Sequence, residues 1–319
     1  MKTIKIGHRH RYVGDGHPCF VVAEIGINHN GSVENALQLI NIAKEAGCQA
    51  VKFQKRTVSV VYSEAELAKP RSVPDEIITN AINRNALPPL SVERLKKNIK
   101  DTTNGDLKYA LEFGSEEYKV IDQYCKNIGI LWFSSPWDEE SVDFLEQFDP
   151  PCYKVASASM TDKDLLSHVA SKSRPVILGT GMSTWEQMVK AVTLLNDSRT
   201  ELIISHTVST YPAERRDLNL AAMLEMKKYF DRPIAYSGHE RGTTMSVCAV
   251  ALGANMVERH ITIHRDMWGS DQSASLEPTG LKTMVSNIRD FERALGDGVK
   301  VVLPAEIPIM QKLRRKDTL

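Results

Sequence analysis

Four ionisable side chains crowd one short stretch. Glu258, His260, His264 and Asp271 all fall within 253–278, GANMVERHITIHRDMWGSDQSASLEP. His239 stands upstream in YSGHE. Imidazole and carboxylate groups are the common protein ligands of divalent cations. The run 256–261, MVERHI, is short, largely apolar and partly β-branched, which predicts a strand. If it lies parallel to the strand before YSGHE, His239 and His260 leave the sheet at the same end. They would then form, with the nearby carboxylates, a candidate metal site. A lone pair of loop histidines carries no such meaning, so the rest of the chain decides.

The elements that must position these groups repeat. Residues 20–25, FVVAEI, predict an apolar strand with an acid near its end. Ser32 caps a following helix whose Val33, Leu37 and Ile40 share one face, and Gly47 stops it. A second strand, 48–54, ends in Lys52-Phe53-Gln54. Residues 55–114, with Pro70, Pro74, Pro88 and Pro89, read as an extended loop with one or two short helices over one face. Helices are then predicted at 115–128, 138–147, 161–172, 184–196, 217–230, 243–252 and 278–294. The intervening strands are 130–134, 152–157, 175–179, 201–206, 233–236 and 256–261. Short apolar strands alternating with helices indicate a parallel sheet covered on both faces. Eight such units point to an α/β fold, a (β/α)8 TIM barrel, and the lack of GxGxxG after the first strand weighs against a dinucleotide fold. Residues 1–18 read as a short β-hairpin turning at Gly14-Asp15-Gly16. The expected organisation is one barrel domain over 1–298 and a tail over 299–319, whose basic Lys312–Lys316 is a solvated helix end.

In such a barrel the active site lies at the C-terminal ends of the strands. Those ends carry Glu24, Lys52 with Gln54, Ser134 with Ser135, Lys154 with Ser157, Thr180, His206, Ser237 with His239, and Glu258 with His260. One polar strand end is an ordinary cap. Eight in succession, converging on one mouth, are not explained by structure alone. Two lysines and several hydroxyls suit a phosphate plus a carboxylate. Two histidines suit a divalent ion that polarises a carbonyl. Glu24 reads either as an acid–base group or as the partner of Lys52. No serine–histidine–aspartate order stands out, so nucleophilic hydrolysis is discounted.

Composition narrows the partners and the compartment. The 319 residues are 42% hydrophobic and 25% charged, with a formal net charge of zero, so neither nucleic acid nor an anionic membrane is expected. The five cysteines are isolated and fit buried thiols in a reducing cytoplasm. The N-terminus lacks the apolar segment of a secretory signal, and no apolar run approaches a membrane span.

Several longer motifs carry a resemblance. AEIGINHNGS (23–32), VKFQK (51–55), YKVAS (153–157), GTGMST (179–184), Tyr211-Pro212, YSGHERG (236–242), VERHIT (257–262) and WGSDQSASLEP (268–278) resemble the sialic acid synthase family from about residue 18 to 300. The YSGHE and WGSDQSASLEP forms are most similar to the branch that makes nonulosonate 9-phosphates. The resemblance implies condensation of phosphoenolpyruvate with a mannose-type sugar aldehyde. It implies a divalent ion, Mn2+ first and Mg2+ or Co2+ as alternatives, on His239 and His260. It places Lys52, Lys154, Ser157 and Ser237 on phosphoenolpyruvate and Gln54, Tyr211 and Asp271 on the sugar, and puts Glu24 at the family's active-site glutamate. Ser134 and Thr180 join the candidate binding residues as strand ends.

The chain also departs from that family. Ser159 stands where the family has an acid touching the sugar, Ser209 where it has an asparagine, and Gly179 where a serine often precedes TGM. The chain stops at Leu319, where the family continues into a small antifreeze-like domain that is exchanged between subunits. A homodimer built through barrel contacts is therefore the expectation. Two readings from other classes stand beside the synthase: a metal-dependent barrel hydrolase or lyase, and an idle barrel that binds a sugar or a partner chain.

Overall fold

Strands Phe20–Gly26 and Met256–His260 pair in parallel and close the sheet on itself. The computed structural model describes residues 3–7 and 11–316. Its strands are β1 (Ile4–Lys5), β2 (Tyr12–Val13), β3 (Phe20–Gly26), β4 (Ala50–Lys55), β5 (Leu131–Pro136), β6 (Tyr153–Val155), β7 (Val176–Gly179), β8 (Leu202–Thr207), β9 (Ile234–Gly238) and β10 (Met256–His260). The last eight form the closed barrel in chain order, and helices follow the strands, as the sequence pattern predicts.

Side chains alternate across each strand, which sorts the apolar residues into two bodies. Phe20, Val22, Ala50, Phe133, Cys152, Ile177, Ile203, Ala235 and Met256 fill the barrel interior, where Ile4, Ile6 and Val13 of the N-terminal strands join them. Val21, Ala23, Ile25, Val51 and Phe53 face outward into the larger core with helix residues such as Ala36, Leu39 and Ile40. Helix Val33–Glu45 begins at Ser32, whose side chain accepts from the Asn35 N–H.

Three expectations are corrected. The two-stranded sheet exists, but its register, Ile4 with Val13 and Lys5 with Tyr12, puts the connection at 6–11 and not at Gly14-Asp15-Gly16. Residues 1–2 and 8–10 of that span, and 317–319 of the tail, lie outside the described residues. Helix 217–230 starts only at Ala222, after a single 3-10 turn at Arg215–Asp217. The largest change concerns 55–114. This segment forms five short helices, Val58–Val61, Glu64–Leu67, Asp75–Asn83, Pro89–Lys97 and Asn104–Leu111. They share a small core of their own, including Ile78, Ala81, Leu95, Leu107 and Ala110, against which Ile27 and Trp268 pack. Three of the prolines start helices instead of preventing them: Pro74 and Pro88 cap helix N-termini, and Pro89 occupies a first helical turn, where its missing N–H costs nothing.

His29 ties this helical insertion to the barrel. Its ring stacks on Phe113 at 4.1 Å and its Nδ1 accepts from the Gly31 N–H at 3.0 Å. Burial, with the Arg84 charge nearby, pushes its pKa down from 6.5 to about 3. The unfolded chain therefore takes up a proton as pH falls through 6.5, while the folded chain does not until about pH 3. Stability is complete above that window and is lost within it by about 1.4 kcal/mol per pH unit. Urea midpoints measured from pH 7 to 4.5 should fall less steeply in His29→Asn than in the wild type. Parallel slopes would rule out His29 as the source.

Candidate active site

The same alternation decides which strand ends meet. The inward series Phe20-Val22-Glu24, Ala50-Lys52-Gln54 and Met256-Glu258-His260 each begin apolar and end polar. Stacked side by side, they turn the apolar barrel interior into a polar mouth. A cavity of about 260 Å³ opens there, lined by Glu24, Lys52, Gln54, Ser135, Lys154, Ser157, Ser209, Tyr211, Ser237, His239, Glu258 and His260. Trp137, Ala156, Ala158, Met182 and Thr207 complete its wall.

Not every candidate reaches the cavity. Ser134 is one residue out of phase, so Ser135 is the β5 hydroxyl in the mouth. The Thr180 hydroxyl is spent on the Ser205 carbonyl at 2.9 Å, and His206 Nε2 meets the Leu218 carbonyl at 2.7 Å on the outward face. Ser159 is buried in a 3-10 turn beside the cavity and is not among its lining residues. Asp271 stands behind the histidines, its Oδ2 3.8 Å from His260 Nδ1. His264 points into neither group; it lies on the exposed loop, 3.5 Å from Asp266.

A buried charge cluster forms the floor. Lys52 Nζ lies 3.0 Å from Glu24 Oε2 and 3.3 Å from Glu258 Oε1, and donates to Ser135 Oγ at 3.1 Å. Lys154 Nζ donates to both oxygens of Glu258 at 3.0 Å, and Ser237 Oγ donates to Glu258 Oε1 at 3.1 Å. Glu258 is thus the hub of two ammonium groups, a role that the sequence did not single out. Its spacing of two from His260 was the available signal, because that spacing puts both on the inward face. Burial opposes ionisation of Glu258, yet Lys154 and Lys52 hold its carboxyl well below the usual carboxylate range. Burial alone would depress Lys52, but Glu24 and Glu258 outweigh it and raise its pKa. At Lys154 burial wins over Glu258, with Lys52 adding to it, and the pKa is lowered. Charges this deep persist only when paired, so any anion entering the cavity must share these lysines with two carboxylates.

Two glycines make room for the arrangement. Gly26, at φ +54°, lets Glu24 Oε1 accept from Gln54 Nε2 at 3.0 Å; a Cβ there would sit 2.9 Å from that oxygen. Gly181 passes between two hydroxyls: its N–H donates to Ser157 Oγ at 3.0 Å, and a Cβ would meet Ser209 Oγ at 2.2 Å.

The histidines face each other across β9 and β10, with ring centroids 5.4 Å apart. Tyr211, next to a cis bond to Pro212, lays its ring 4.1 Å from His239 and 5.7 Å from His260. His239 Nδ1 is committed to the Val208 carbonyl at 2.7 Å, so that nitrogen carries the proton and Nε2 keeps its lone pair. His260 Nδ1 is buried without a hydrogen-bond partner. The open Nε2 of His239 and the unpartnered nitrogen of His260 in a polar cavity fit a divalent cation. Among the described residues no group of three or more histidine, cysteine or acidic side chains is gathered in ligating geometry. The protein therefore offers the two imidazoles, and water or substrate oxygens must complete any coordination shell.

A family model described as the NeuB family matches residues 39–300. The N-acetylneuraminate-9-phosphate synthase of Mus musculus is 36% identical over 304 residues, covering 95% of this chain and 78% of that protein. The N,N'-diacetyllegionaminic acid synthase of Legionella pneumophila is 32% identical over 312 residues, covering 96% and 81%. The N-acetylneuraminic acid synthetase of Leptospira borgpetersenii, solved with citrate, superposes with a TM-score of 0.78 at 28% identity over 99% of this chain and 98% of that one. With its motifs gathered at one barrel mouth and these relatives along its length, the chain belongs to the NeuB family of sialic acid synthases.

Proposed function

We propose that this chain condenses phosphoenolpyruvate with the open-chain form of a mannose-type sugar aldehyde: N-acetylmannosamine, its 6-phosphate or a related sugar. The products are a nonulosonic acid or its 9-phosphate, and phosphate. The observation that carries this reading is the single cavity in which Lys52, Lys154, Ser157 and Ser237 adjoin the His239–His260 pair. An anion holder beside a carbonyl-activating pair is what joining an enol phosphate to an aldehyde requires.

Lys52 and Lys154, with the Ser157 and Ser237 hydroxyls, bind the phosphate and carboxylate of phosphoenolpyruvate. Gln54 and Tyr211 orient the sugar, Asp271 acts on it only through His260 in front of it, and Ser209 adds a hydroxyl at the rim. His239 and His260 would hold a divalent ion, Mn2+ by expectation, which when bound would supply Lewis acidity to the aldehyde oxygen. C3 of phosphoenolpyruvate attacks the aldehyde carbon, forming the new C–C bond and leaving cationic character at C2. Water adds at C2, and Glu24, positioned by Gln54 and Lys52, takes its proton and returns one to the aldehyde oxygen, which received the C=O electron pair and becomes the new hydroxyl. The C2–O bond to phosphate then breaks, the phosphate leaves and the C2 carbonyl forms. The walls around Trp137 and Tyr211 keep bulk water from C2 until the aldehyde is bound.

All five cysteines are free thiols, which supports a reducing compartment, the cytoplasm. No helix among the described residues is long and apolar enough to cross a membrane. Val299, Val301, Val302, Leu303, Ile309 and Leu313 are exposed together on the tail, which supports association into a homodimer.

The test is phosphate release from phosphoenolpyruvate with Mn2+, across mannose-type sugars with and without a 6-phosphate. Release with one sugar, abolished by EDTA and restored by Mn2+, is the expected result. No release with any sugar, from folded and metal-loaded protein, would move the assignment to the idle barrel. Metal-dependent turnover without phosphoenolpyruvate would move it to a hydrolase or lyase.

A further inference from the structure

The two imidazoles stand just beyond the reach of the sheet. Pairing of β9 with β10 runs from Ala235 with Met256 to Gly238 with Arg259 and ends there, one residue before His239 and His260. Something besides the ladder must keep the rings 5.4 Å apart. The residues beside them supply it. The alternation that turns His260 into the mouth turns Arg259 to the outer face of the barrel, where Glu240, the neighbour of His239, meets it. Arg259 Nη1 donates to Glu240 Oε1 at 2.8 Å, to the Gly242 carbonyl at 2.8 Å and to Ser246 Oγ at 2.9 Å, and Nη2 donates to the Glu240 carbonyl. The Tyr236 hydroxyl donates to Glu240 Oε2 at 2.8 Å. Both charged side chains are 0% exposed. One guanidinium thus joins β10, the loop after β9 and helix Thr244–Ala251.

We infer that the buried Arg259–Glu240 ion pair is the positioning element of the metal site: it sets the separation of His239 and His260, and with it the affinity for the divalent ion. The inference rests on the reading of the two histidines as metal holders, and it adds a pair that touches neither ion nor substrate. The Nη2 bond holds the carbonyl of Glu240, one residue beyond His239, so the backbone carrying one imidazole is tied to the strand carrying the other. The same segment is gripped from its other side. The Ala213 N–H donates to the His239 carbonyl at 3.0 Å, and His239 Nδ1 donates to the Val208 carbonyl at 2.7 Å. Held by the loop after β8 on one side and by Arg259 on the other, His239 has little freedom to swing away from His260. Stability alone does not call for such a pair, since apolar residues of similar volume often replace a buried ion pair without loss. A planar guanidinium with fixed donors supplies direction, which apolar packing lacks. A site with two protein ligands has none to spare, so a change in their spacing passes directly into metal affinity.

The experiment measures Mn2+ binding by equilibrium dialysis in the wild type, in Glu240→Gln and in the double variant Glu240→Gln/Arg259→Met, which leaves no unpaired charge. Thermal unfolding of the metal-free proteins is followed in parallel. Both variants should bind Mn2+ roughly 10- to 100-fold more weakly, the usual cost of losing a group that orients a metal ligand. The double variant should unfold close to the wild-type temperature. Excess Mn2+ should restore most of its phosphate release, with the KM for phosphoenolpyruvate unchanged. Wild-type Mn2+ affinity in the double variant overturns the inference, whatever its stability. Failure of saturating Mn2+ to restore turnover also overturns it, because the damage then lies outside the metal site. Should the double variant not fold, Glu240→Gln decides by the same affinity criterion. Binding that is lost in His239→Ala but intact in the double variant removes the inference alone. A wild type that binds no Mn2+, or binds it as well as His239→Ala does, removes the metal reading and the inference with it.

Discussion

Replacing His239 or His260 with alanine should lower phosphoenolpyruvate-dependent phosphate release by roughly 1000-fold, the loss of about 4 kcal/mol of carbonyl polarisation. The two rings lie 5.4 Å apart and line the same cavity. Each is prepared as a ligand by a different device. At His239 the Val208 carbonyl fixes the tautomer, and burial pushes its pKa down to about 3, so the ring stays neutral with an open nitrogen. At His260 a buried nitrogen without a partner remains next to Asp271, 3.8 Å away. With only two imidazoles offered, removal of one leaves no second-best site, so bound metal should fall with activity. Metal content after gel filtration, measured alongside phosphate release, checks both. A His239→Ala variant that retains its metal and its turnover would dismiss the pair as the metal-binding element.

Lys154→Met should cost about 100-fold in kcat/KM for phosphoenolpyruvate, chiefly through KM, as expected when a buried charge-assisted contact is lost. In the intact cavity two lysines balance Glu24 and Glu258. Without Lys154, Glu258 loses the donor that binds both of its oxygens at 3.0 Å and keeps only Lys52 at 3.3 Å and the Ser237 hydroxyl. The mouth then carries one cation against two carboxylates, and it repels an anionic substrate. Steady-state kinetics with phosphoenolpyruvate varied at saturating sugar measure the effect, with circular dichroism confirming the fold. An unchanged KM would mean that the substrate's charge is met elsewhere. Lys154→Arg should not rescue, because a planar guanidinium cannot occupy the buried space where one Nζ meets both Glu258 oxygens.

The barrel was legible because its signals are local. Period-two strands and period-3.6 helices leave their pattern in the order of residues, and eight polar strand ends follow from that pattern. The pairing of His239 with His260 was legible too, since β9 and β10 are joined by one short helix and their parallel register is the default for such a unit. The insertion was not. Its prolines and charges look like loop, while Ile78, Ala81 and Leu107 bury within a small core of the insertion's own residues, with Ile27 and Trp268 packed alongside. Nor was the phase of β5: the choice between Ser134 and Ser135 depends on where the strand enters the closed sheet, and an error of one residue exchanges the inner and outer faces.

By itself, then, the sequence determined the chemical inventory at the strand ends: three imidazoles, two ammonium groups, two carboxylates, an amide and a set of hydroxyls. Charge, basicity and donor capacity belong to the side chains wherever they fold. Only the tertiary structure decided which of them touch. Lys154 and Glu258 are 104 residues apart in the chain and meet within hydrogen-bond distance, because closing the barrel brings opposite strands to one mouth. The helical insertion likewise folds onto the barrel through apolar contacts such as Ile27 and Trp268 on its small core, which no local pattern announces.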